Sequence, residues 1–201
     1  MEPIKGKGAK LSDEPPIVVG VTGASGAPIA VRLLKALHEA GRPVALVVSD
    51  GAVPVLFEEC GMRPAELAAF AGQVYSDHDL AAPIASGSNP TRAMVIVPCS
   101  GNTVAKVALG LGDTLLTRCA QVHLKERRPL VVVPRETPMS TTLLRHLVSL
   151  SQDGALVLPV APPYYLHPRS VDDLTDYIAG KVLDHLKVPH QLYRGWRPAG
   201  G

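Results

Sequence analysis

The sequence predicts an α/β fold, a three-layer sandwich in which helices cover both faces of a parallel sheet. Short runs of Val, Ile and Leu alternate with helical patterns along the whole chain, and this alternation is typical of parallel sheets. Each apolar run ends in a turn rich in Gly, Ser, Thr or Pro. The length of 201 residues suits one core. We expect a flexible tail over residues 1–15, a single domain over 16–188 and a second tail over 189–201.

The first third of the chain predicts two strand–helix pairs. The apolar run at residues 17–22 predicts the first strand. Apolar residues at helical spacing over 29–40 predict a helix that ends at Gly41, since glycine commonly follows the last helical turn. Residues 43–49 predict the second strand, and residues 51–59 the second helix.

The rest of the chain is less regular before the pattern returns. Residues 64–73 predict a helix, and residues 76–90 a loop that is too long to lack a role in a small domain. Three further strands are predicted at residues 94–97, 130–133 and 155–158. The final helix covers Val171–Leu186.

The composition argues against several classes of partner. Lys and Arg number 20 against 18 Asp and Glu, a net charge of +2, so neither nucleic acid nor a membrane is expected as a partner. No apolar stretch approaches the length of a membrane span. Three cysteines without a C-x-x-C pair fit a reducing compartment, so we expect a cytoplasmic protein. The seven histidines form no metal motif, and no metal is expected.

Four predicted turns directly follow strands, at residues 23–26, 49–50, 100–103 and 135–137. Because the carboxyl ends of parallel strands lie at one edge of a sheet, these turns are expected to form one site. The first turn, in VTGASGAP, joins a strand to a helix, an arrangement that binds anions through backbone N–H groups. The sequence thus predicts a site for a ligand that carries a phosphate.

A nicotinamide dinucleotide is one alternative for this ligand. Its fingerprint is G-x-G-x-x-G, whereas the glycines here are spaced G-x-x-G-x-x-G, at Gly20, Gly23 and Gly26. Two features match a short-chain dehydrogenase: the segment TGASG and the Y-x-x-x-K pair of Tyr177 and Lys181. In such an enzyme Asp50, after the second strand, would bind the ribose. That pair, however, lies in the last helix instead of the middle of the fold. The dehydrogenase remains a minor alternative.

Four segments resemble the flavin prenyltransferases, the UbiX-like proteins. In collinear order over about residues 16–196 they are VTGASGAP, APIASGSNPTRAMVIVPCS, GDTLLTRCAQVHLKERRPLVVVPRETP and GALVLPVAPPYYLHPRSVDDLTDYIAGKVLD. The resemblance implies a Rossmann-like (flavodoxin-like) fold and transfer of a dimethylallyl group from dimethylallyl monophosphate, or the diphosphate, to N5 and C6 of reduced FMN. It also implies that the product, prenylated FMN, serves a UbiD-type decarboxylase.

The resemblance places FMN at the four turns. Hydroxyls, amides and one guanidinium suit a phosphate and a carbonyl-rich ring. Taken alone, residues 100–103 also fit a helix N-cap, and the two roles are compatible. The matching residues are Gly23, Ala24, Ser25, Ser49, Ser100, Gly101, Asn102, Thr103 and Arg135.

The resemblance implies that a second set of residues binds the prenyl phosphate. Arg118 and Lys125 are seven residues apart and share one helix face, which alone would indicate only a solvated basic surface. Lys181 replaces an arginine of close relatives, so the planar two-pronged contact is lost. The full set is Ser86, Arg118, Lys125, Tyr165, Lys181 and Trp196.

The resemblance also implies groups that take part in proton transfer. Glu136 and Glu59 match acidic residues of the family, although the adjacent Glu58 leaves the register of the second open. Ser25 is a candidate relay between the flavin and Glu136. Tyr165 is counted with this catalytic set because its hydroxyl would contact the prenyl phosphate.

The C-terminal tail is expected to contact a neighbouring subunit. Trp196 matches a tryptophan that reaches a neighbour's site in the family, and an aromatic tail with Tyr193 and Trp196 favours a homo-oligomer. The family's dodecamers make a dodecamer the candidate assembly.

Two other functions remain open. The segment CSGNT followed by GDT also resembles the flavin-dependent cysteine decarboxylases, although no histidine follows the first turn before His38. A non-catalytic flavin carrier in a decarboxylase assembly is the other, suggested by Lys181 and by the Pro28-Ile29 pair after GASGA.

Overall fold

Six strands and seven helices are present in the computed structural model, which describes residues 14–195. The strands are β1 (Ile17–Val21), β2 (Val44–Val48), β3 (Gln73–Ser76), β4 (Ala93–Cys99), β5 (Leu130–Pro134) and β6 (Leu156–Val157). The helices are α1 (Ala27–Glu39), α2 (Ala52–Cys60), α3 (Pro64–Leu67), α4 (Gly101–Ala108), α5 (Leu115–Lys125), α6 (Thr141–Gln152) and α7 (Val171–Leu186). Among these described residues, no helix combines the length and apolarity needed to cross a membrane.

The sheet is parallel throughout, with the strand order β3-β2-β1-β4-β5-β6. β1 lies near the centre, where Val19 is paired with Leu46 of β2 and with Val95 of β4. The strand order reverses between β1 and β4, and sheets of this kind bind ligands in the crevice beyond the carboxyl ends at that point. The predicted Rossmann-like three-layer sandwich is confirmed.

The sequence predicted five strands, and this number was wrong because it missed β3. Three of the four β3 residues are exposed at the edge of the sheet, so the strand lacks the apolar run that marks a buried strand. The helix predicted over 64–73 is correspondingly short. It consists of α3 and one 3₁₀ turn (Ala68–Phe70), after which Gly72 N–H donates to Val44 O at 3.0 Å and the chain joins β2.

Alternate residues of each strand face two separate cores. Val19 and Leu46 pack in the core beneath α1, α2 and α7, which we call the α1 layer. Met94 belongs to the opposite core, beneath α4, α5 and α6, which we call the α5 layer. A Cβ added to Gly20 would lie 2.9 Å from Leu116 Cδ1, so α5 packs directly on the backbone of β1.

The chain enters the domain at the amino edge of the sheet, opposite the crevice. Glu14 Oε2 accepts hydrogen bonds from Arg42 Nη1 at 2.6 Å and from Arg92 Nη1 at 2.9 Å. Arg42 precedes β2 and Arg92 precedes β4, so this carboxylate joins the starts of two strands on either side of β1.

A buried histidine, His123, anchors the end of α5. It is 1% exposed. Its Nδ1 donates to Pro129 O at 3.1 Å, since a carbonyl can only accept, and its Nε2 then accepts from Thr91 Oγ1 at 2.9 Å. Burial, aided by the charge of Arg128, outweighs the bond to Pro129 and lowers the pKa of His123 to about 4.

This lowered pKa predicts a loss of stability in acid. As the pH falls from 6.5 towards 4, the unfolded chain takes up a proton on His123 and the folded chain does not. We therefore expect the free energy of unfolding to fall by about 3 kcal/mol over this interval because of His123 alone. Urea titrations of the wild type and of His123→Asn at pH 7 and pH 4 measure this, with His38→Asn as an exposed control. The same acid loss in His123→Asn would contradict the assignment.

Candidate active site at the carboxyl edge of the sheet

The turns after β1 and β4 are joined by a buried threonine. Thr22 Oγ1 donates to Pro98 O at 2.7 Å and accepts from Ser100 N–H at 2.8 Å. Thr22 is 2% exposed, so water does not compete for these bonds, and they fix the two turns relative to each other. Residues 23–26 and 100–103 therefore line one crevice.

The turns after β2 and β5 meet at the same place. A Cβ at Gly23 would lie 2.7 Å from Gly51 O, so the first two turns touch through their backbones and only glycine fits at this position. On the other side of the crevice, Arg135 Nε donates to Ser25 O at 3.2 Å. Ser49, directly after β2, lies at this edge as well. The prediction that all four turns meet at one edge is confirmed.

Glu59 reaches from α2 to the start of α1. Its Oε2 accepts from the backbone N–H groups of Gly26 and Ala27, both at 2.8 Å. Gly26 has a left-handed φ of 114°, which places it in a conformation that favours glycine. The carboxylate therefore satisfies two of the unpaired donors at the positive end of α1. Glu59, not Glu58, is the side chain that contacts the turn.

The charge state of Glu59 follows from these contacts. Burial raises the pKa of Glu59, but hydrogen bonds from the Ser25 side chain and from the two backbone N–H groups outweigh this effect. The charge of Arg135 acts in the same direction, so the pKa lies below its ordinary value. Glu59 is therefore ionised at neutral pH and can accept a proton but not supply one. Ser25 is predicted to act as a relay between the flavin and Glu136, and in the structure its side chain lies beside Glu59.

Helix α4 begins at the crevice. Ser100 is its N-cap, with Oγ accepting from Thr103 N–H at 3.2 Å and lying 3.0 Å from Thr103 Oγ1, so the N-cap interpretation is confirmed. Gly101 and Asn102 occupy the first helical positions, whose N–H groups have no carbonyl to bind within the helix. These two groups are available to an anion in the crevice.

A mainly apolar cavity of about 390 Å³ opens beside Ser25 and Glu59. Its other walls come from α1, α7 and the segment after β6, through Gly26, Pro28, Ile29, Val160, Pro162, Val171, Leu174, Thr175 and Ile178. A mainly apolar cavity with three polar side chains, Ser25, Glu59 and Thr175, suits a ligand with an apolar body and a few polar groups.

Glu136 lines a different cavity, of about 270 Å³, between α4 and α6. Ser140, Thr142 and His146 supply its other polar groups. Glu136 is exposed, and its Oε1 accepts from Thr137 N–H at 3.2 Å. Glu136 and Glu59 thus line different cavities. Within residues 14–195, no three His, Cys, Asp or Glu side chains are placed to hold a metal ion.

Arg118, Lys125 and Ser86 form a separate group along α5. Arg118 Nε donates to Ala85 O at 3.3 Å, next to Ser86. Lys125 is an ion-pair partner of Glu126 and lies about 10 Å further along the helix axis. These residues belong to the α5 layer, whereas the cavity beside Ser25 belongs to the α1 layer. The helix that carries Arg118 and Lys125 therefore covers the opposite face of the sheet from the cavity beside Ser25.

Tyr165 and Lys181 form a third group on the outer side of α7. Lys181 Nζ donates to Asp184 Oδ2 at 3.3 Å, and Asp184 also accepts from the Tyr193 hydroxyl. Tyr165 is 47% exposed and lies beside Tyr177. Sequence reasoning connected Tyr177 only with a dehydrogenase and missed Asp184. The spacing of 177, 181 and 184, one helix stripe, was the signal that could have found them.

The predicted contact of Trp196 falls outside the described residues. The segment that leads to it packs on α7, where the ring of Tyr193 lies edge-on to Tyr177 with a centroid distance of 4.9 Å. Tyr193 therefore anchors this segment to the helix that carries Lys181.

Comparisons with known proteins agree on one family. The model of the family described as Flavoprotein matches residues 7–183. The flavin prenyltransferase UbiX of Thermoplasma acidophilum is 45% identical over 180 residues, which cover 90% of this chain and 99% of that protein. The crystal structure of AnUbiX (PadA1) in complex with FMN and dimethylallyl pyrophosphate has a TM-score of 0.89 at 37% identity and covers 92% of this chain and 98% of its own. A dodecameric FMN-dependent UbiX-like decarboxylase from Escherichia coli O157:H7 has a TM-score of 0.89 at 40% identity, with coverages of 91% and 100%.

Proposed function

The chain belongs to the flavoprotein family and, within it, to the UbiX flavin prenyltransferases, and on this basis we propose the reaction that it catalyses. It transfers a dimethylallyl group from dimethylallyl phosphate to N5 and C6 of reduced FMN. FMN supplies the nucleophilic ring, and the allylic carbon–oxygen bond breaks as the phosphate leaves with its electron pair. The product, prenylated FMN, is the cofactor of a UbiD-type decarboxylase, which is its recipient.

The convergence of the four turns on one crevice is the observation that carries this proposal. Their hydroxyls, free N–H groups and the Arg135 guanidinium match the donors that a flavin phosphate and a carbonyl-rich ring require. A mainly apolar cavity adjoins the same crevice at Ser25. We assign FMN contacts to Gly23, Ala24, Ser25, Ser49, Ser100, Gly101, Asn102, Thr103 and Arg135.

Glu136 is the proposed proton acceptor. Bond formation at C6 releases a proton from an aromatic carbon, and a carboxylate in an open cavity can accept it. Glu59 has a positioning role, because its carboxylate accepts hydrogen bonds from the first N–H groups of α1 and lies beside Ser25.

The leaving phosphate requires positive charge, and we propose that two or more subunits supply it. Arg118, Lys125 and Ser86 lie on one face of the molecule and Tyr165 and Lys181 on another, so a homo-oligomer would join these groups across an interface. Exposed apolar pairs one helical turn apart support subunit contacts. They are Val53 and Phe57 of α2 and Leu144 and Val148 of α6. A dodecamer, as described for the Escherichia coli O157:H7 protein, is the proposed assembly.

We also propose that the protein works in the cytoplasm. All three of its cysteines, Cys60, Cys99 and Cys119, are free thiols, as expected in a reducing compartment.

Mass spectrometry of the flavin tests the proposed function. The protein is incubated without oxygen with reduced FMN and dimethylallyl monophosphate, and in parallel with the diphosphate. We expect the flavin to gain the mass of one dimethylallyl unit. Unaltered FMN with both donors would contradict the proposal and favour a flavin carrier or a cysteine decarboxylase, and release of carbon dioxide from a peptide with a C-terminal cysteine would then identify the latter.

A further inference from the structure

Asp184 is the centre of a polar cluster on the outer side of α7. Its carboxylate accepts from Lys181 Nζ at 3.3 Å, from His190 Nε2 at 3.1 Å and from the Tyr193 hydroxyl. His190 Nδ1 accepts from Leu192 N–H at 3.2 Å, so Nε2 carries the proton that is given to Asp184. One carboxylate thus binds the lysine of α7 and two side chains of the C-terminal segment.

The C-terminal segment fits closely against α7 at this point. A Cβ on Gly180 would lie 2.6 Å from Tyr193 Cδ1 and 2.9 Å from His190 Cε1. The absence of a side chain at Gly180 therefore admits both rings, and Lys181 Nζ lies 5.9 Å from the centre of the Tyr193 ring. The ammonium group is held between a carboxylate and an aromatic ring, which limits its position.

This arrangement sets the charge that Lys181 presents to a ligand. The ion pair is only partly exposed, with side-chain exposures of 35% for Lys181 and 42% for Asp184, so solvent does not fully screen it. An anion near Lys181 meets a cation whose charge is largely balanced by its partner. Tyr177, one turn before Lys181, lies beside Tyr165, the other proposed phosphate ligand, which precedes α7 in the chain.

We propose that Asp184 is a specificity-determining residue that favours a monophosphate over a diphosphate donor by neutralising Lys181. The inference rests on the proposed function, which places the prenyl phosphate beside Lys181 and Tyr165. A phosphate monoester carries about −1.5 to −2 charges at pH 7, and a diphosphate carries about one more. A site with less net positive charge favours the less charged ligand. The lysine alone would favour the diphosphate, and Asp184 cancels this preference.

Anion binding to the full chain tests this inference without turnover. Inorganic phosphate and pyrophosphate are titrated into the wild type and into Asp184→Asn by calorimetry, and the ratio of the two dissociation constants is compared. We expect the ratio to shift about fivefold towards pyrophosphate in Asp184→Asn, the upper range for a partly exposed charge pair. Asp153→Asn makes the same charge change at an exposed position directly after α6, and its ratio should equal that of the wild type.

If the inference is correct, the shift in the ratio of dissociation constants depends on the presence of Lys181. In the Lys181→Met background, Asp184→Asn should leave the ratio of dissociation constants unchanged. A general loss of folding would instead alter the ratio whether or not Lys181 is present. An unchanged ratio in Asp184→Asn, or an equal shift in the Lys181→Met background, would overturn the inference. If Asp184→Asn does not fold, Asp184→Ser removes the charge while keeping an acceptor for Tyr193. Prenyl transfer by the wild type is a separate readout that tests the proposed function alone.

Discussion

Replacement of Glu136 by glutamine is expected to slow the formation of prenylated FMN by about 10²–10⁴-fold. Glutamine has the size of glutamate and can accept a hydrogen bond, but it cannot take up the proton that bond formation at C6 releases. The expected loss is in the rate of transfer, since Glu136 lies in its own cavity and makes no bond that holds the four turns together. Single-turnover reactions with reduced FMN, followed by mass spectrometry, measure this rate.

Two measurements separate a loss of proton transfer from a loss of flavin binding. The affinity of Glu136→Gln for FMN, from fluorescence titration, should equal that of the wild type. Glu39→Gln, an exposed glutamate at the end of α1, should react at the wild-type rate. Prenyl transfer at the wild-type rate in Glu136→Gln would refute the role proposed for this carboxylate.

Two inactive variants are expected to restore activity when they are combined in one oligomer. Arg118 lies on α5, whereas Glu136 lines the cavity between α4 and α6. Helix α4 lies between them within one chain. It is packed against α5, where Gln121 Nε2 donates a hydrogen bond to Val107 O of α4 at 2.8 Å. If a neighbouring subunit supplies Arg118, a site in a mixed oligomer can combine intact Glu136 from one copy with intact Arg118 from another. Random mixing of Arg118→Gln and Glu136→Gln should then restore about a quarter of the wild-type activity.

The control for this experiment carries both substitutions in one chain. Oligomers of Glu136→Gln mixed with the double variant have no site with intact Glu136, so they should stay inactive. Co-expression with two different affinity tags isolates the mixed oligomers for the assay. Activity no greater than the sum of the two separate variants would show that each chain builds its site alone.

The fold was largely predictable because most strands are buried on both faces. β1, β2, β4 and β5 are rich in Val, Ile, Leu and Ala, and their predicted limits differ from the structure by at most two residues at each end. β3 was not predictable in this way. With three of its four residues exposed, its sequence QVYS carries no stronger signal than the loop that follows it.

The site was predictable in its parts but not in its arrangement. The turns at Gly23, Ser100 and Arg135 were placed correctly because each follows an apolar strand, and parallel strands end at one edge. The division between layers was not visible, since the face that a helix covers depends on the strand order and not on its own sequence. Arg118 and Lys125 therefore share a helix side as predicted, yet that helix covers the other face of the sheet from the Ser25 cavity.

The position of Glu14 has a practical consequence for handling this protein. Because this residue ties the incoming chain to Arg42 and Arg92, an affinity tag or fusion partner added before it would emerge on the side remote from the flavin crevice. The described C-terminal segment instead packs beside Lys181 at Tyr193, so a tag joined to that end is attached to a segment of the proposed ligand site. Immobilisation through the N-terminus is therefore the orientation that leaves both surfaces free for binding assays.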